Sequence, residues 1–491
     1  MSSLHVPRLS RPDWLASPKV FRTEVLGGLV VGLALIPEAI SFSVIAGVSP
    51  SVGLFSAVTM AVVISFVGGR KAMISAATGA VALVVAPLNK EHGLGYLVAA
   101  VILGGLMQVV LGALGVARLM RFVPRSVMVG FVNALAILVF MGQFPELTSV
   151  PWAVYPLVVG GLVLTALFPR ITTVVPAPLV SIVVLTLITV GAGIAVPTVG
   201  DRGELPSSLP VPGLPDVPFI MDTLTTVAPY AFALALVGLL ESLMTAKLVD
   251  DITDTHSNKT RESVGQGIAN IVTGLLGGMG GCAMIGQTMI NVKVSGARTR
   301  LSTFLSGAFL LVLCLLLGPV VSEIPMAALV AIMVLVSAAT FDWHSVLPKT
   351  LRRLPVGETL VMVITVVCVV ATHNLAVGVV VGSISAMVIF AKRVAHLADV
   401  VREVDGGRVV YTVTGELFFA SSNDLVFRFR YKDDPQDVVV DLSRAHIWDA
   451  SSVAALDAVE TKYARYGKTV TITGLNEASA AMHRKLAGRL G

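Results

Sequence analysis

Two glutamates, Glu38 and Glu241, stand inside apolar stretches of a chain that elsewhere keeps most charges out of them. Glu38 lies in Leu33-Ala34-Leu35-Ile36-Pro37-Glu38-Ala39-Ile40-Ser41, and Glu241 in Leu234-Ala235-Leu236-Val237-Gly238-Leu239-Leu240-Glu241-Ser242-Leu243. An ionised carboxylate at bilayer depth costs a few kcal/mol or more, so such a residue normally faces a cavity, a partner or a proton. The structural alternative is a neutral or hydrogen-bonded glutamate between packed helices. Two in similar settings, about 200 residues apart, favour a transport site. No His, Cys and carboxylate set converges on catalysis or metal binding, so no catalytic residue, metal or cofactor is expected. Cys282, Cys314 and Cys368 are scattered and read as small buried hydrophobes.

These glutamates need a membrane around them. Of 491 residues, 55% are hydrophobic and 13% charged, against about 25% charged in a soluble domain. The apolar segments read as 22–45, 52–67, 73–88, 94–116, 126–143, 151–168, 174–196, 224–246, 262–279, 282–293, 301–319, 322–339, 357–372 and 374–391. Most are long enough to cross a hydrocarbon core as helix. The fold class is a polytopic α-helical membrane protein of fourteen spans, seven on either side of a Pro/Gly/Asp-rich link. The net charge of +5 is spread over short loops and does not indicate nucleic acid. Residues 1–21, with Arg8, Arg11 and Lys19, read as a cytoplasmic N-terminus before a retained first span.

Charge tests the span count independently. Loops after even-numbered spans carry Arg70 and Lys71; Arg118, Arg121 and Arg125; Arg170; Lys247, Lys259 and Arg261; Lys293, Arg298 and Arg300; and Lys349, Arg352 and Arg353. Loops after odd-numbered spans carry only Lys90 and Arg202. Fifteen against two places both termini in the cytoplasm. The same parity requires the short third and tenth segments to cross. The boundaries are then 22–196 for the first repeat, 197–222 for an extracellular linker, 223–394 for the second repeat and 395–491 for a cytoplasmic domain. An odd number of spans per half inverts the second half, and Glu38 and Glu241 fall in the first span of each. An inverted repeat with short, Gly-interrupted elements in matching positions is a transporter pattern with a midplane site.

Those elements are Ser75-Ala76-Ala77-Thr78-Gly79-Ala80 and Gly281-Cys282-Ala283-Met284-Ile285-Gly286-Gln287-Thr288. The first turn of a helix has unsatisfied N–H groups and partial positive charge. Two such ends meeting near the midplane suit a carboxylate, bicarbonate or sulfate, with Ala77, Thr78, Gly79, Ile285, Gly286 and Gln287 as the binding residues. The alternative is that the small residues only permit close helix packing.

Residues 392–491 hold 27 charged residues, against 38 in the first 391. Arg408–Val413, Asp437–Leu442 and Thr469–Gly474 read as strands, Ser451–Arg465 as an amphipathic helix, and a last helix follows. This predicts a small α/β domain. Asp441-Leu442-Ser443 is expected at a strand end, and Asp449 or Ser451 as a helix cap rather than a phosphorylation switch.

Together these features resemble the sulfate permease (SulP) anion transporters, whose animal relatives include chloride/bicarbonate exchangers and prestin. The resemblance is carried by Glu241-Ser242-Leu243-Met244-Thr245-Ala246-Lys247, Asp250-Asp251 and Gly265-Gln266-Gly267-Ile268-Ala269-Asn270. The tail resembles a STAS domain through Asp441-Leu442-Ser443 and Asp449-Ala450-Ser451-Ser452. The resemblance implies a 7+7 inverted repeat with core and gate domains, a homodimer, elevator-like movement and substrate held between the third and tenth segments. It implies a multi-pass protein of the bacterial inner membrane, with a cytoplasmic regulator as a partner for the STAS domain. Several animal members have an arginine in the tenth segment; Ile285-Gly286-Gln287-Thr288 has no cation. Substrate charge must then be offset by helix ends and a co-transported cation. The expected function is proton-coupled symport of a small carboxylate, such as the dicarboxylate fumarate, through Glu38. The alternative is sodium-coupled bicarbonate or sulfate transport, with Glu241, Thr245 and Thr288 around the Na⁺. An anion channel or a nucleobase transporter ranks below both.

Overall fold

The computed structural model describes residues 17–116, 123–172, 175–206, 208–218, 220–395, 399–405 and 407–489. Arg8, Arg11, Arg118 and Arg121 lie outside these residues. The chain divides into two compact units, Met1–Ser383 and Ile384–Gly491.

The first half of the membrane unit comprises α1 (Pro18–Ala46), α2 (Pro50–Val67), the two-residue strand β1 (Ser75–Ala76), α3 (Gly79–His92), α4 (Leu94–Ala113), α5 (Arg125–Met141), α6 (Val154–Leu167) and α7 (Ala177–Gly191). The second comprises α8 (Met221–Thr253), α9 (Lys259–Leu275), β2 (Cys282–Ala283), α10 (Ile285–Met289), α11 (Arg300–Ser322), α12 (Met326–Thr340), the short α13 (Trp343–Val346) and α14 (Pro348–Arg353), α15 (Val356–Thr372) and α16 (Leu375–Ala395). A π-helical turn, Ile290–Val294, continues α10. The expected fourteen segments are all present among the described residues, although only seven helices have the length and apolarity to span unaided. Four more are shorter apolar helices, α9 is amphipathic, and two are half-helices introduced by β1 and β2. The helices α13 and α14 were not expected; they interrupt what reads as one polar loop.

The inverted repeat is visible in the packing, because the halves exchange partners. Helix α4 packs on α8 and α9, and α11 packs on α1 and α2; likewise α5 packs on α15, and α12 on α6. One group, α1–α4 with α8–α11, forms a core, and α5–α7 with α12 and α15 form a second group beside it. At the centre of the core, β1 and β2 pair antiparallel, Ser75 with Ala283 and Ala76 with Cys282. Extended backbone at membrane depth survives only where protein satisfies its polar groups. Here buried polar side chains do so. Asn270 accepts from Gly281 N (2.9 Å) and donates to Gly281 O (3.0 Å), Ser242 Oγ accepts from Ala283 N (3.1 Å), and Ser56 Oγ accepts from Met279 N (2.8 Å). Gly281 is required by proximity, since a Cβ there would stand 2.0 Å from Ala76 O.

In the tail, β3 (Asp399–Asp405), β4 (Arg408–Leu417), β5 (Asp437–Ile447) and β6 (Thr469–Thr473) form one sheet in that order, β3 antiparallel and the rest parallel. Three helices complete it, α17 (Phe419–Leu425), α18 (Ala450–Arg465) and α19 (Glu477–Leu486). Strand β3 and helix α17 escaped the sequence reading. Asp441-Leu442-Ser443 is not at the end of its own strand, because β5 continues to Ile447; it is β6 whose pairing ends at Asp441. Asp449 caps α18 by accepting from Ser452 N (3.0 Å). The alternating buried residues Val409, Tyr411 and Val413 of β4 and Val438, Val440 and Leu442 of β5 pack under Val453, Leu456 and Val459 of α18.

Asp434 closes that core. Its Oδ2 accepts from the Tyr411 and Tyr463 hydroxyls (2.6 and 2.5 Å), and its Oδ1 accepts from Arg402 (2.7 Å). Burial alone would raise the pKa, but these donors outweigh it and hold the carboxyl below the usual range. The resulting stabilisation is full above the unfolded carboxyl pKa of about 3.9 and is lost as pH falls through the lower folded value. Asp434→Asn should lower local stability by about 3 kcal/mol near neutral pH, because a paired buried charge is broken. It should also flatten the loss of stability below about pH 4. Hydrogen exchange of the β4 and α18 amides in the full-length protein would measure both effects.

Candidate functional site

Because β1 and β2 run antiparallel, the helices that follow them start from the same central point and leave in opposite directions. Their first turns therefore face one region. Thr78 is the N-cap of α3, its Oγ1 accepting from Val81 N (3.4 Å), and Ala82 N donates to Thr78 O. The preceding N–H groups of that turn, including Gly79's, have no intrahelical acceptor. Met284 stands at the corresponding position of α10, followed by Ile285 and Gly286.

Between these turns lies a cavity of about 110 Å³. Core residues Glu38, Thr78, Gly79, Glu241, Ile285 and Gly286 line one side, with Phe131, Leu135 and Val139 of α5 and Ser337 and Thr340 of α12 opposite. Among the described residues, no Lys, Arg or His lines it. The volume far exceeds the 10–15 Å³ or so that a single water needs and suits a small polyatomic anion. A Cβ on Gly286 would meet no atom within 4 Å, so this backbone faces open space. At Gly79 the space is already taken, with Phe42 and Val139 side-chain atoms 2.9 and 3.1 Å from an added Cβ.

Both glutamates reach this cavity from the first span of their halves, and each is tied to the short element of the second half. Gln287 Nε2 donates to Glu38 Oε1 (2.6 Å). The buried Gln287 Oε1 has no hydrogen-bond partner. The Cys282 thiol donates to Glu241 Oε2 (2.9 Å), and Thr78 Oγ1 lies 3.1 Å from the same sulfur. With the thiol proton committed to Glu241, the Thr78 hydroxyl donates to sulfur, giving a chain Thr78–Cys282–Glu241 across the two halves. Cys282 is thus buried as expected but is more than a small hydrophobe. Its signal in the sequence was its place inside the short element Gly281–Thr288, which its isolation from other cysteines obscured.

The remaining candidates separate. Ala77 is buried behind the cavity wall at the end of β1, and Gln287 supports the wall through Glu38. Thr245 Oγ1 donates to Glu241 O (2.7 Å) along its own helix. Thr288 Oγ1 accepts from Ile74 N (3.0 Å) and anchors the approach to β1. Neither threonine lines the cavity.

Two further glutamates, Glu24 and Glu262, are also fully buried, which the sequence reading did not single out. Glu24 accepts from the backbone N–H groups of Arg298, Thr299 and Ser302 at the start of α11. Glu262 accepts from Gly69 N, Arg70 N and Gln266 Nε2. Both are saturated by donors, as structural carboxylates should be. Glu38 and Glu241 each have one protein donor and face open volume.

The profile of the sulfate permease family matches residues 21–154 and 150–365, and that of the STAS domain matches residues 399–487. YbaR of Bacillus subtilis is 52% identical over 466 residues, covering 95% of this chain and 97% of the relative. The bicarbonate transporter BicA of Picosynechococcus is 26% identical over 501 residues, covering 89% and 86%. The solved transmembrane domain of a cyanobacterial BicA superposes with a TM-score of 0.65 at 25% identity, covering 75% of this chain and 98% of that one. The murine anion transporter Slc26a9 in its inward-facing state superposes with a TM-score of 0.81 at 16% identity, a likeness in fold, over 96% and 89% of the two chains. The chain belongs to the sulfate permease family of anion transporters, with a STAS domain following its membrane unit.

Proposed function

We propose that this protein is a secondary active symporter that carries a small carboxylate, such as a dicarboxylate of the fumarate type, together with a proton. The anion sits in the cavity between the first turns of α3 and α10, and Glu38 carries the proton. The observation that carries this reading is the orphaned Gln287 Oε1 beside Glu38. An ionised Glu38 offers only acceptors, whereas a protonated one has an O–H to donate, and Gln287, bonded to it through Nε2, holds the unfilled acceptor. The charge balance argues the same way. With no basic side chain at the cavity, an anion meeting an ionised Glu38 at low dielectric is repelled by several kcal/mol. Protonation removes the repulsion, so the two loads favour each other.

The elevator-like step is supported by the division of the cavity wall. Both carboxylates and the helix starts belong to the core, and the wall opposite, from α5 and α12 of the second group, is apolar apart from Ser337 and Thr340. Movement of the core past that apolar face would carry the site without breaking hydrogen bonds of the β1–β2 cradle. The protein would work as a homodimer in a bacterial inner membrane, with both termini in the cytoplasm and the STAS domain open to a regulator. A second reading, sodium-coupled bicarbonate or sulfate transport, draws on the likeness to BicA and the small cavity. Neither Thr245 nor Thr288 lines the cavity, which weighs against a sodium site built from them with Glu241.

Glu38→Gln keeps an acceptor for Gln287 and mimics the protonated acid. In proteoliposomes it should fold and bind the anion, lose proton-driven accumulation and retain exchange. Accumulation that still follows the pH gradient would remove Glu38 from the coupling. Labelled bicarbonate, sulfate and fumarate, tested with pH and sodium gradients varied separately, distinguish the two readings.

Gly286→Val sets a Cβ where no protein atom lies within 4 Å and adds two methyl groups to the open space above α10. It should weaken anion binding by roughly tenfold or more, about 1.4 kcal/mol, with little change in thermal stability. Equal affinity in the variant and the parent would move the anion away from this turn.

A further inference from the structure

A second cavity, of about 520 Å³, lies away from the anion site on the side of the membrane unit where α8 begins. Its size falls within the range of about 300–1,000 Å³ typical of organic-ligand pockets. Its walls are α4, through Ala99, Ile102, Leu103 and Leu106, the start of α8, and the linker segment around Leu214, Pro215 and Pro218. Among the described lining residues, one side-chain hydroxyl breaks the apolar surface. Thr223 lines the cavity, is 8% exposed, and its Oγ1 is buried without a hydrogen-bond partner. A buried hydroxyl left unpaired costs about 1–3 kcal/mol, so this group calls for a ligand that accepts a hydrogen bond.

The cavity is preformed. Gly213 N donates to Leu275 O (2.8 Å), and Asp216 O rests against Gly95, where a Cβ would stand 2.7 Å away. Two prolines stiffen the linker between and beyond these contacts. The depth of the hydroxyl is also defined. Thr223 is in the first turn of α8, next to exposed Asp222, whereas Leu106 and Leu224 are large exposed apolar side chains of the outer surface. An acceptor that reaches Thr223 therefore stands at the edge of the hydrocarbon, with an apolar body running inward along α4.

We infer that this cavity between α4, the start of α8 and the linker is a binding site for one acyl chain of a glycerophospholipid, whose ester carbonyl accepts the Thr223 hydroxyl. The ester of such a lipid sits at the boundary between polar and apolar regions, and its chain is the inward-running apolar body. The occupant is drawn laterally from the bilayer and needs no charged contact, which matches a lining without Lys or Arg. The site joins the first half, through α4, to the second, through α8, at the point where the linker connects the halves. It is independent of the transport reading above.

The test uses full-length protein in vesicles of phosphatidylethanolamine and phosphatidylglycerol containing trace phospholipid with a photoactivatable acyl chain, supplied in ester-linked and ether-linked forms. Cross-links should map to Leu103, Leu106 and Leu224, and the ester probe should label roughly three- to tenfold more than the ether probe, the worth of one neutral hydrogen bond. Thr223→Val should abolish the preference, leaving ester and ether equal. Leu106→Trp, at an exposed wall position that folding does not depend on, should suppress labelling of Leu103 and Leu224 by both probes. Equal labelling by ester and ether in the parent protein would overturn the inference. So would labelling unchanged by Leu106→Trp, which marks only bulk lipid against the surface. Capture of a free fatty acid in preference to the ester probe would overturn it as well.

Discussion

The structure depends on hydrogen-bonding two extended strands in the middle of a membrane. Water is absent at that depth, and each unsatisfied backbone group there costs several kcal/mol. β1 and β2 satisfy part of this by pairing with each other, which also fixes their antiparallel directions. The rest falls to Asn270, Ser242 and Ser56, and to Gln266, whose Nε2 donates to Ser75 Oγ (2.7 Å). These residues sit on α2, α8 and α9, so those helices are locked in register with the strands. Once the strands are fixed, the helix starts that follow must converge, and a cavity with two sets of free N–H groups is the consequence. The apolar composition of the spans says nothing of this; the amphipathic character of α9 is its outward sign.

Charge at this depth is handled in two distinct ways. Glu24 and Glu262 serve as fixed acceptors for backbone N–H groups at turns and helix starts, where their charge is compensated by dipoles. Glu38 and Glu241 each accept one hydrogen bond from the tenth segment and otherwise face the cavity. Compensation there is incomplete, and on the symport reading proposed above it is completed by the proton that arrives with the anion. The sequence Gln287-Thr288 carries no cation, which fits this division, because a fixed arginine there would compensate the carboxylates permanently.

Much of this was legible in the residues. Hydropathy and the distribution of Lys and Arg delimit the spans, because both report on which side of a bilayer a segment can reside. Glu38, Thr78, Gly79, Glu241, Ile285 and Gly286 converge as expected, since inverted repeats bring equivalent elements to one axis. The threonines did not follow the same logic. Thr245 and Thr288 have the right oxygen chemistry, but Thr245 bonds back to its own helix at Glu241 O, as helical hydroxyls readily do, and Thr288 accepts from Ile74 N of the other half. Cys282 was missed because its type suggests packing, and only its register opposite Ala76 places the thiol at Glu241. In the tail, β3 is charged at Asp399, Arg402 and Glu403, which hides an edge strand from a search for apolar alternation.

The two helix groups differ in how they are held, and this bears on where the molecule can yield. Within the core, α4 and α9 meet backbone to backbone: a Cβ on Gly105 would stand 2.7 Å from Gly267 O, and one on Gly267 2.5 Å from Gly105 O. The second group has the same kind of contact, with Gly130 of α5 lying against Met362 O of α15. Such contacts tolerate no sliding, since a shift of an ångström drives backbone into backbone. At the seam between the groups, the second group presents Phe131, Leu135 and Val139 of α5 beside Ser337 and Thr340 of α12 to the cavity, with Phe42 on the core side. Apolar side chains of this kind exchange one set of dispersion contacts for another at little cost. Polar convergence and this seam therefore coincide, so that the cavity has one wall bearing both carboxylates and the helix starts, and another of apolar side chains interrupted by the Ser337 and Thr340 hydroxyls.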